Sequence, residues 1–463
     1  MIPITFSDIA RVTGGQIVQG NPRSVFSAVS TDSRTAAAGE LFFALSGELY
    51  DAHSFLDRAV SAGAGGLVVS RRVDLPPDIP VLLVDDTLAA LQSLAAVNRA
   101  RAGAFLVGVT GSTGKTTTKD IIASVLATRF ATHKTTGNFN NEIGLPLTLL
   151  QIGQDCGAAV VEMAMRGSGE IDALCRIAAP DGAVITTINE THLELLGDVS
   201  SIAAAKGEIL EHVPAAGFAL LHADSPFIRR EAGRCKGRVI FFGEDAAADI
   251  RAENIKPSGG GSVFDVVIGK ERDQYILPAP GRHNVINALA AVGVGREMGL
   301  TKEEISRGLA SASLTGMRLE VIRAGGIKII NDSYNASPAS TGAALQTLAD
   351  LAGGRRKIAV LGNMLELGPQ ALAGHRGVGE TAARLQVDYL VTVGDLAEAI
   401  HTGAVAAGLR PEKAVHCGDN GQAIKVLEKL LDAGDTVLVK GSRGMKMEQI
   451  VRRLVQSRRD SEG

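Results

Sequence analysis

Between residues 111 and 116 the chain reads Gly-Ser-Thr-Gly-Lys-Thr, which brings two glycines, a lysine and three hydroxyl side chains into one turn. Glycine lets backbone approach an oligophosphate closely, and N–H groups at a helix start point toward the anion. Gly111, Ser112, Thr113, Gly114, Lys115, Thr116 and Thr117 therefore form a candidate phosphate cradle. Lys115 would neutralise β- and γ-phosphate oxygens, and the Thr116 hydroxyl would reach Mg²⁺. The longer phosphate-loop pattern has glycine where Val109 stands, so this is a shorter form. An ordinary glycine turn before a Ser/Thr-capped helix shares these letters; the strand-turn-helix context favours the phosphate reading.

A phosphate cradle alone allows hydrolysis, phosphoryl transfer to a hydroxyl, or activation of a carboxylate. Glu162 ends an apolar run, where a carboxylate either pairs with a cation or holds a metal. His192 follows the next run, and Lys206 lies in a helix whose start is marked by Asp198, Ser200 and Ser201. Taken singly these are ordinary: such histidines usually pack, and helix lysines are usually solvated. Both nevertheless fall just beyond strand C-termini, where α/β sheets keep their ligands.

The elements that must position these groups follow from periodicity. Buried strands are expected at 104–110, 158–163, 182–188, 218–222 and 238–243, with a helix from Lys115 that turns Ile121, Ile122, Val125 and Leu126 to one face. A second set, 327–332, 357–362, 388–394 and 436–441, predicts a separate doubly wound sheet. Residues 256–281 read as a hairpin-rich excursion, and the alanine-rich stretch ending near Gly103 as a helix leaving a smaller N-terminal α/β unit. The expected fold is α/β in three domains: 1–102; a central P-loop-type, mostly parallel domain at 103–317; and a Rossmann-like C-terminal domain at 318–463.

A chain of 463 residues exceeds what one core usually serves, which agrees with several domains. A net charge of −3 argues against nucleic acid or an anionic membrane as the main partner. Cys156, Cys175, Cys235 and Cys417 lack metal spacing and read as idle thiols of a reducing compartment. With no apolar run long enough to span a bilayer and no basic-then-apolar start, the expectation is a cytoplasmic protein without membrane insertion, working as a monomer.

The ordered stretches GSTGKTT, EMAMRG, THLELLG, AKGEI, PGRHNVINALAA, NDSYNASP, VLGNMLELG and VKGSRGMKMEQI resemble the signatures of the Mur ligases, which build the peptide of bacterial cell-wall precursors. The resemblance runs from STDSR near the N-terminus to KGSRG near the C-terminus. It implies an ATP-dependent ligase that joins D-alanyl-D-alanine to UDP-N-acetylmuramoyl-tripeptide through an acyl phosphate. It further implies two Mg²⁺ ions, one held by Thr116 and Glu162, the other served by His192 and a carbamylated Lys206. Lys115, His192 and Lys206 would be the catalytic set.

By the same resemblance Asn284 and Asn287 would meet adenine, with an N-cap as the alternative or coexisting role for Asn284. Arg318 and Asp332 would reach the ATP phosphates and ribose from the third domain, with a hinge near 314–320. Ser33, Arg34, Gly47 and His53 would contact the UDP part. Asn138 and Asn140 would meet the muramoyl peptide in a loop that otherwise reads as a polar turn closed by Pro146. Arg166, Tyr334, Asn335, Lys440, Ser442 and Arg443 complete the implied substrate set. The chain departs from the family pattern at Thr187, Asn331, Ser337 and Asn363. Folylpolyglutamate synthases share the loop but lack such an N-terminal domain, and a simple ATPase would need no carboxylate acceptor.

Overall fold

The computed structural model describes residues 1–47, 50–189 and 196–459. Its chain builds three main sheets in succession. The first has five strands in the order Gln16–Gln19, Val81–Leu83, Gly66–Val69, Leu41–Phe43 and Val29–Ser30. The second has nine, and the strand Phe105–Thr110 that feeds the phosphate loop lies inside it, paired in parallel with Ala158–Glu162 on one side and Gly182–Ile185 on the other. Neighbouring strands that arrive from opposite directions along the sequence leave a crevice at their C-terminal ends, and the loop opens into it.

Beyond Gly182–Ile185 the sheet continues through Phe218–His222 and Arg238–Gly243. Ile250–Ser258 is added in parallel, and Gly261–Ile268 and Glu271–Leu277 then follow antiparallel. The hairpin-rich region is therefore present and begins at Ile250, earlier than the glycine cluster suggests. The expected strand 182–188 stops at Ile185, because Thr186 and Thr187 leave the sheet to hydrogen-bond the phosphate loop. The third sheet has six strands. Glu320–Ala324 runs antiparallel to Ile327–Asp332, followed in parallel by Thr436–Lys440, Lys357–Gly362, Tyr389–Val393 and Ala414–Cys417.

The two joints between these sheets differ. The helix Thr87–Ala102 starts on the Asp86 side chain, which accepts from the Leu88 and Ala89 N–H groups, and ends at Gly103 in the left-handed region. Its Leu91, Leu94 and Ala95 enter one continuous apolar core that reaches from Phe6 and Phe43 to Leu149, Leu174 and Ile209. Buried Asn98 accepts from the Ile2 N–H and donates to the carbonyls of Leu149 and Ile152. Arg99 pairs with Asp181 at 2.6 Å. The first two units are thus packed as one body. By contrast, the third sheet has its own apolar clusters on its two faces, and the chain reaches it through the non-helical stretch 311–319.

Candidate active site

The phosphate loop holds its shape through contacts that only glycine permits at two positions. Gly111 has φ 146°, and a Cβ there would lie 2.0 Å from Thr186 Oγ1; Gly114 has φ 83°, with Asn287 Oδ1 2.7 Å from such a Cβ. Thr187 clamps the turn, accepting at its carbonyl from the Ser112 N–H at 2.7 Å and at its hydroxyl from the Thr113 N–H at 3.2 Å. The helix Lys115–Leu126 then begins with no side-chain cap, so its first N–H groups remain available to an anion.

Lys115 folds back so that Nζ donates to the Gly111 carbonyl at 2.8 Å. Thr116 Oγ1 donates to Glu162 Oε2 at 2.8 Å, and Asn140 Nδ2 donates to Glu162 Oε1 at 2.8 Å. Burial lowers the pKa of Lys115; Glu162 opposes that shift and the Arg318 charge adds to it. Lys206, on the helix Val199–Glu211, is 0% exposed, and among the described residues its Nζ has no hydrogen-bond partner. Burial and then the charge of Lys115 push Lys206 well below the usual lysine range. A buried amine so placed is driven toward its neutral form.

A cavity of about 560 Å³ lies between the second and third sheets. Ser112 to Thr117, Asn140, Glu162, Asn284 and Asn287 line it from the central unit. Arg318, Asp332, Tyr334, Asn335, Lys440, Ser442 and Arg443 line it from the third. Lys440 Nζ donates to Asp332 Oδ2 at 2.5 Å and to the Asn335 carbonyl at 2.9 Å. The Arg318 guanidinium stacks 4.1 Å from the Tyr334 ring centroid. Residues far apart in sequence thus converge on one polar cleft, with cations on both walls.

Other expectations fare differently. His192 lies outside the described residues. Gly111 underlies the loop without lining the cavity, and Lys206, Ser33, Arg34, Gly47, His53, Asn138 and Arg166 are not among its lining residues. His53 is spent locally: Nδ1 bonds Asp51 at 2.6 Å, Nε2 accepts from the Ser70 N–H, and the ring is buried. Both ring nitrogens are thus engaged within the first unit. Asn284 is no N-cap, because the helix Arg282–Glu297 begins after Gly281, and Asn284 Nδ2 instead donates to the Pro280 carbonyl.

The positions that depart from the family pattern have structural work. Ser337 caps the helix Pro338–Ala352, Asn331 joins Glu320 to Ser333, and Asn363 Oδ1 accepts from the Ala397 N–H. The sequence reading missed His222 and His283, which line the cavity together with Leu365, Glu366 and Leu367. His222 ends a parallel strand, a location that could have flagged it. His283 adjoins Asn284; burial pushes it down to about 4 against the pull of Asp332, so it is neutral at pH 7.

Residues 109–295 match the Mur ligase middle domain, and residues 317–443 match the Mur ligase glutamate ligase domain. The UDP-N-acetylmuramoyl-tripeptide–D-alanyl-D-alanine ligase of Bacillus subtilis (strain 168) is 40% identical over 99% of both chains. This chain belongs to the Mur ligase family. A crystal structure of MurF from Acinetobacter baumannii superposes with a TM-score of 0.89 at 33% identity, covering 98% of this chain and 99% of that one. MurF ligase from Thermotoga maritima, solved in complex with ADP, gives 0.83 at 28% identity over 94% and 98%. The Mur ligase cleft described above is thus built on a fold whose relative holds an adenine nucleotide.

Proposed function

We propose that this chain joins D-alanyl-D-alanine to UDP-N-acetylmuramoyl-tripeptide, forming the pentapeptide precursor and releasing ADP and phosphate. The observation that carries this reading is the convergence of Lys115, Thr116 and Glu162 from one unit with Arg318, Asp332 and Lys440 from another around a single cavity. Similarity to a full-length relative of that activity supports the choice of substrates. On this reading residues 1–102 bind the UDP end through Ser33, Arg34 and Gly47, residues 103–317 bind ATP, and residues 318–463 bring in the dipeptide. On the same reading the enzyme meets its nucleotide-linked substrate and ATP in the cytoplasm and works as a monomer. Among the described residues no helix is long and apolar enough to cross a membrane.

The chemistry explains why so many cations meet. A carboxylate oxygen of the tripeptide attacks the γ-phosphorus, the bond to the β–γ bridging oxygen breaks, and ADP leaves. The dipeptide amine then attacks the acyl carbon, loses a proton and expels phosphate. At about 4 Å and an effective dielectric of about 20, two unit charges of like sign repel by roughly 4 kcal/mol, so the anions cannot meet unaided. Lys115 swings from the Gly111 carbonyl onto the phosphates, Arg318 approaches from the opposite wall, and Asn140 holds Glu162 in place. Asn284 and Asn287 face the nucleotide, and closure of the third unit excludes water from the acyl phosphate.

The donor set suits a hard cation. The Thr116 hydroxyl and Glu162 carboxylate are oxygen donors in contact, the type that Mg²⁺ takes together with substrate phosphates. When bound, the cation supplies further neutralisation of the phosphate charge. Among the described residues no group of three or more His, Cys, Asp or Glu side chains converges as a metal cage. Lys206 fits a second site only after CO₂ converts its amine to a carbamate, and a neutral, unpartnered amine is the form that reacts with CO₂. His192 completes that proposed set.

The test is phosphate release with UDP-N-acetylmuramoyl-tripeptide, comparing D-alanyl-D-alanine with single amino acids. Release should require both substrates, and Lys115→Ala should lower it by about 10³-fold or more. Near-normal turnover by that variant, or release without the acceptor, overturns the reading.

A further inference from the structure

The segment that carries Arg318 is held in an unusual backbone. Met317 and Leu319, the residues on either side, both adopt left-handed conformations, with φ 62° and φ 51°. Non-glycine residues persist there only when their surroundings over-determine them. Four sets of contacts do so. Upstream, Asp120 Oδ2 accepts from both the Thr315 N–H, at 2.9 Å, and the Thr315 hydroxyl, at 2.7 Å. Downstream, Glu320 Oε2 accepts from the Met317 N–H, and Asp332 Oδ1 from the Leu319 N–H. The Met317 carbonyl accepts from the Tyr334 N–H, placing the aromatic ring that Arg318 covers.

The upstream anchor has a specific origin. Asp120 is on the same helix that begins at the phosphate loop, five residues beyond Lys115. Its side chain is completely buried, with Lys119 Nζ at 3.2 Å and Lys134 Nζ at 2.7 Å from Oδ1. One carboxylate therefore holds two lysines with one oxygen and the interdomain linker with the other. Among the described residues, Arg318 Nε is buried with no hydrogen-bond partner, so the guanidinium is fixed by its backbone and by ring stacking.

We propose that Asp120 is a positioning residue: through Thr315 it ties the linker to the phosphate-loop helix and so fixes where Arg318 enters the phosphate site. The proposal rests on the reading that Arg318 serves the ATP phosphates. The linker is then more than a passive joint between the second and third units. Its upstream end moves with the phosphate loop and its downstream end with Asp332, so domain closure carries Arg318 along a path set at both ends.

A double-mutant cycle tests this while separating it from the reading beneath it. Thr315→Val removes the hydroxyl donor and keeps the backbone N–H, whereas Thr315→Ser keeps both donors. Because a misplacement of about 1 Å can cost about 100-fold, Thr315→Val is expected to lower kcat by about tenfold, with Thr315→Ser near wild type. KM for the UDP substrate should be unchanged in both. In an Arg318→Ala background the Thr315→Val change should have no further effect on kcat, because the group it positions is gone. Equal losses from Thr315→Val with and without Arg318 would overturn the positioning role, as would full activity in Thr315→Val. Full activity in Arg318→Ala alone would instead sink the Arg318 reading. A thermal unfolding midpoint for each variant separates misfolding from mispositioning.

Discussion

Lys119 and Lys206 are both buried in the central unit, on helices that pack against opposite faces of the nine-stranded sheet. Lys119 has what a buried charge needs: Nζ donates to the Thr135 carbonyl at 2.7 Å and lies 3.2 Å from Asp120, which also bonds Lys134 and Thr315. Burial alone would raise the Asp120 pKa, yet Lys119, Lys134 and Thr315 together bring it below the usual value. Lys206 has no partner for its amine among the described residues, and its neighbour Lys115 is of like sign. Burying an uncompensated ammonium is costly, so an unpaired buried lysine marks a candidate functional group. The paired lysine is held by its neighbours, while the other has no such partner among the described residues.

The sharpest way to break that contrast is to replace each lysine with methionine, which has similar length and no charge. Lys206→Met should lower ligation by about 10³-fold or more while raising the unfolding free energy by about 1–3 kcal/mol, because an unpaired buried amine is replaced by apolar volume. Phosphate release and urea denaturation report the two effects separately. If Lys206→Met keeps its activity, or loses stability, the amine is not a reserved functional group.

Lys119→Met should do the reverse. It removes one partner of a buried ion pair and the donor to Thr135, so stability should fall by about 3 kcal/mol. Thr135 in turn accepts the Glu162 N–H through its hydroxyl. A modest loss of kcat, less than about tenfold, should therefore accompany the destabilisation, since one positioning contact loosens while the cavity lining stays intact. Urea titration and kcat on the folded fraction check this; a stable but inactive variant would make Lys119 the functional lysine instead.

The phosphate loop was legible because it is local: glycines, lysine and threonine lie in one turn between a strand and a helix, and proximity in sequence is proximity in space. The strand runs and the third, doubly wound sheet were legible for the same reason. The family resemblance implied that Lys206 and Arg318 join Lys115 near the phosphates; what the letters did not carry is the geometry of that meeting, which depends on how separate elements cross at the sheet's C-terminal edge. Nor did the letters carry the local engagement of His53, whose ring nitrogens both bond within its own unit, to Asp51 and to Ser70. Neither pairing leaves a periodic trace. Asn284 was misread as a possible cap because Gly281, with φ 97°, starts the helix earlier than the polar residues imply. Lys119 was passed over altogether, since a lysine on an amphipathic helix gives no sign that its tip bends inward to Thr135.

A smaller effect sharpens the contrast through pH. The folded-state pKa of Lys206 is depressed, so between that value and the ordinary lysine value of about 10.4 the unfolded chain binds a proton that the native chain does not. Stability of the wild type therefore rises with pH across this window. The advantage of Lys206→Met is largest below the folded pKa, and its protonation-linked part is gone above about 10.4. Urea denaturation of both proteins in CO₂-free buffer from pH 6 to 10 should show the two curves converging. Parallel curves would mean that the amine titrates as it does in water and is not sequestered.

The smallest expected effect decides what the unpaired amine becomes. Lys206→Ala leaves a gap beside Lys115 of roughly the volume of the lost side chain. If the working group is the carbamate, the missing chemistry is that of a carboxylate on a short stem, and formate or acetate should restore a few per cent of the lost turnover. Restoration should saturate with acid concentration, as binding to a defined gap requires, and should be absent in Lys206→Met, where the gap is filled. If the neutral amine itself is the working form, methylamine or ethylamine should rescue and the acids should not. The like-signed Lys115 argues for the first outcome. The charge of Lys115 helps to hold Lys206 below its usual range, whereas Lys115 is itself lowered by burial and by Arg318. An anion at position 206 would therefore turn a like-signed neighbour into an opposite one and favour the charged form of Lys115 that phosphate oxygens require. Rescue by the amines alone would reverse that conclusion and leave Lys206 acting as a base.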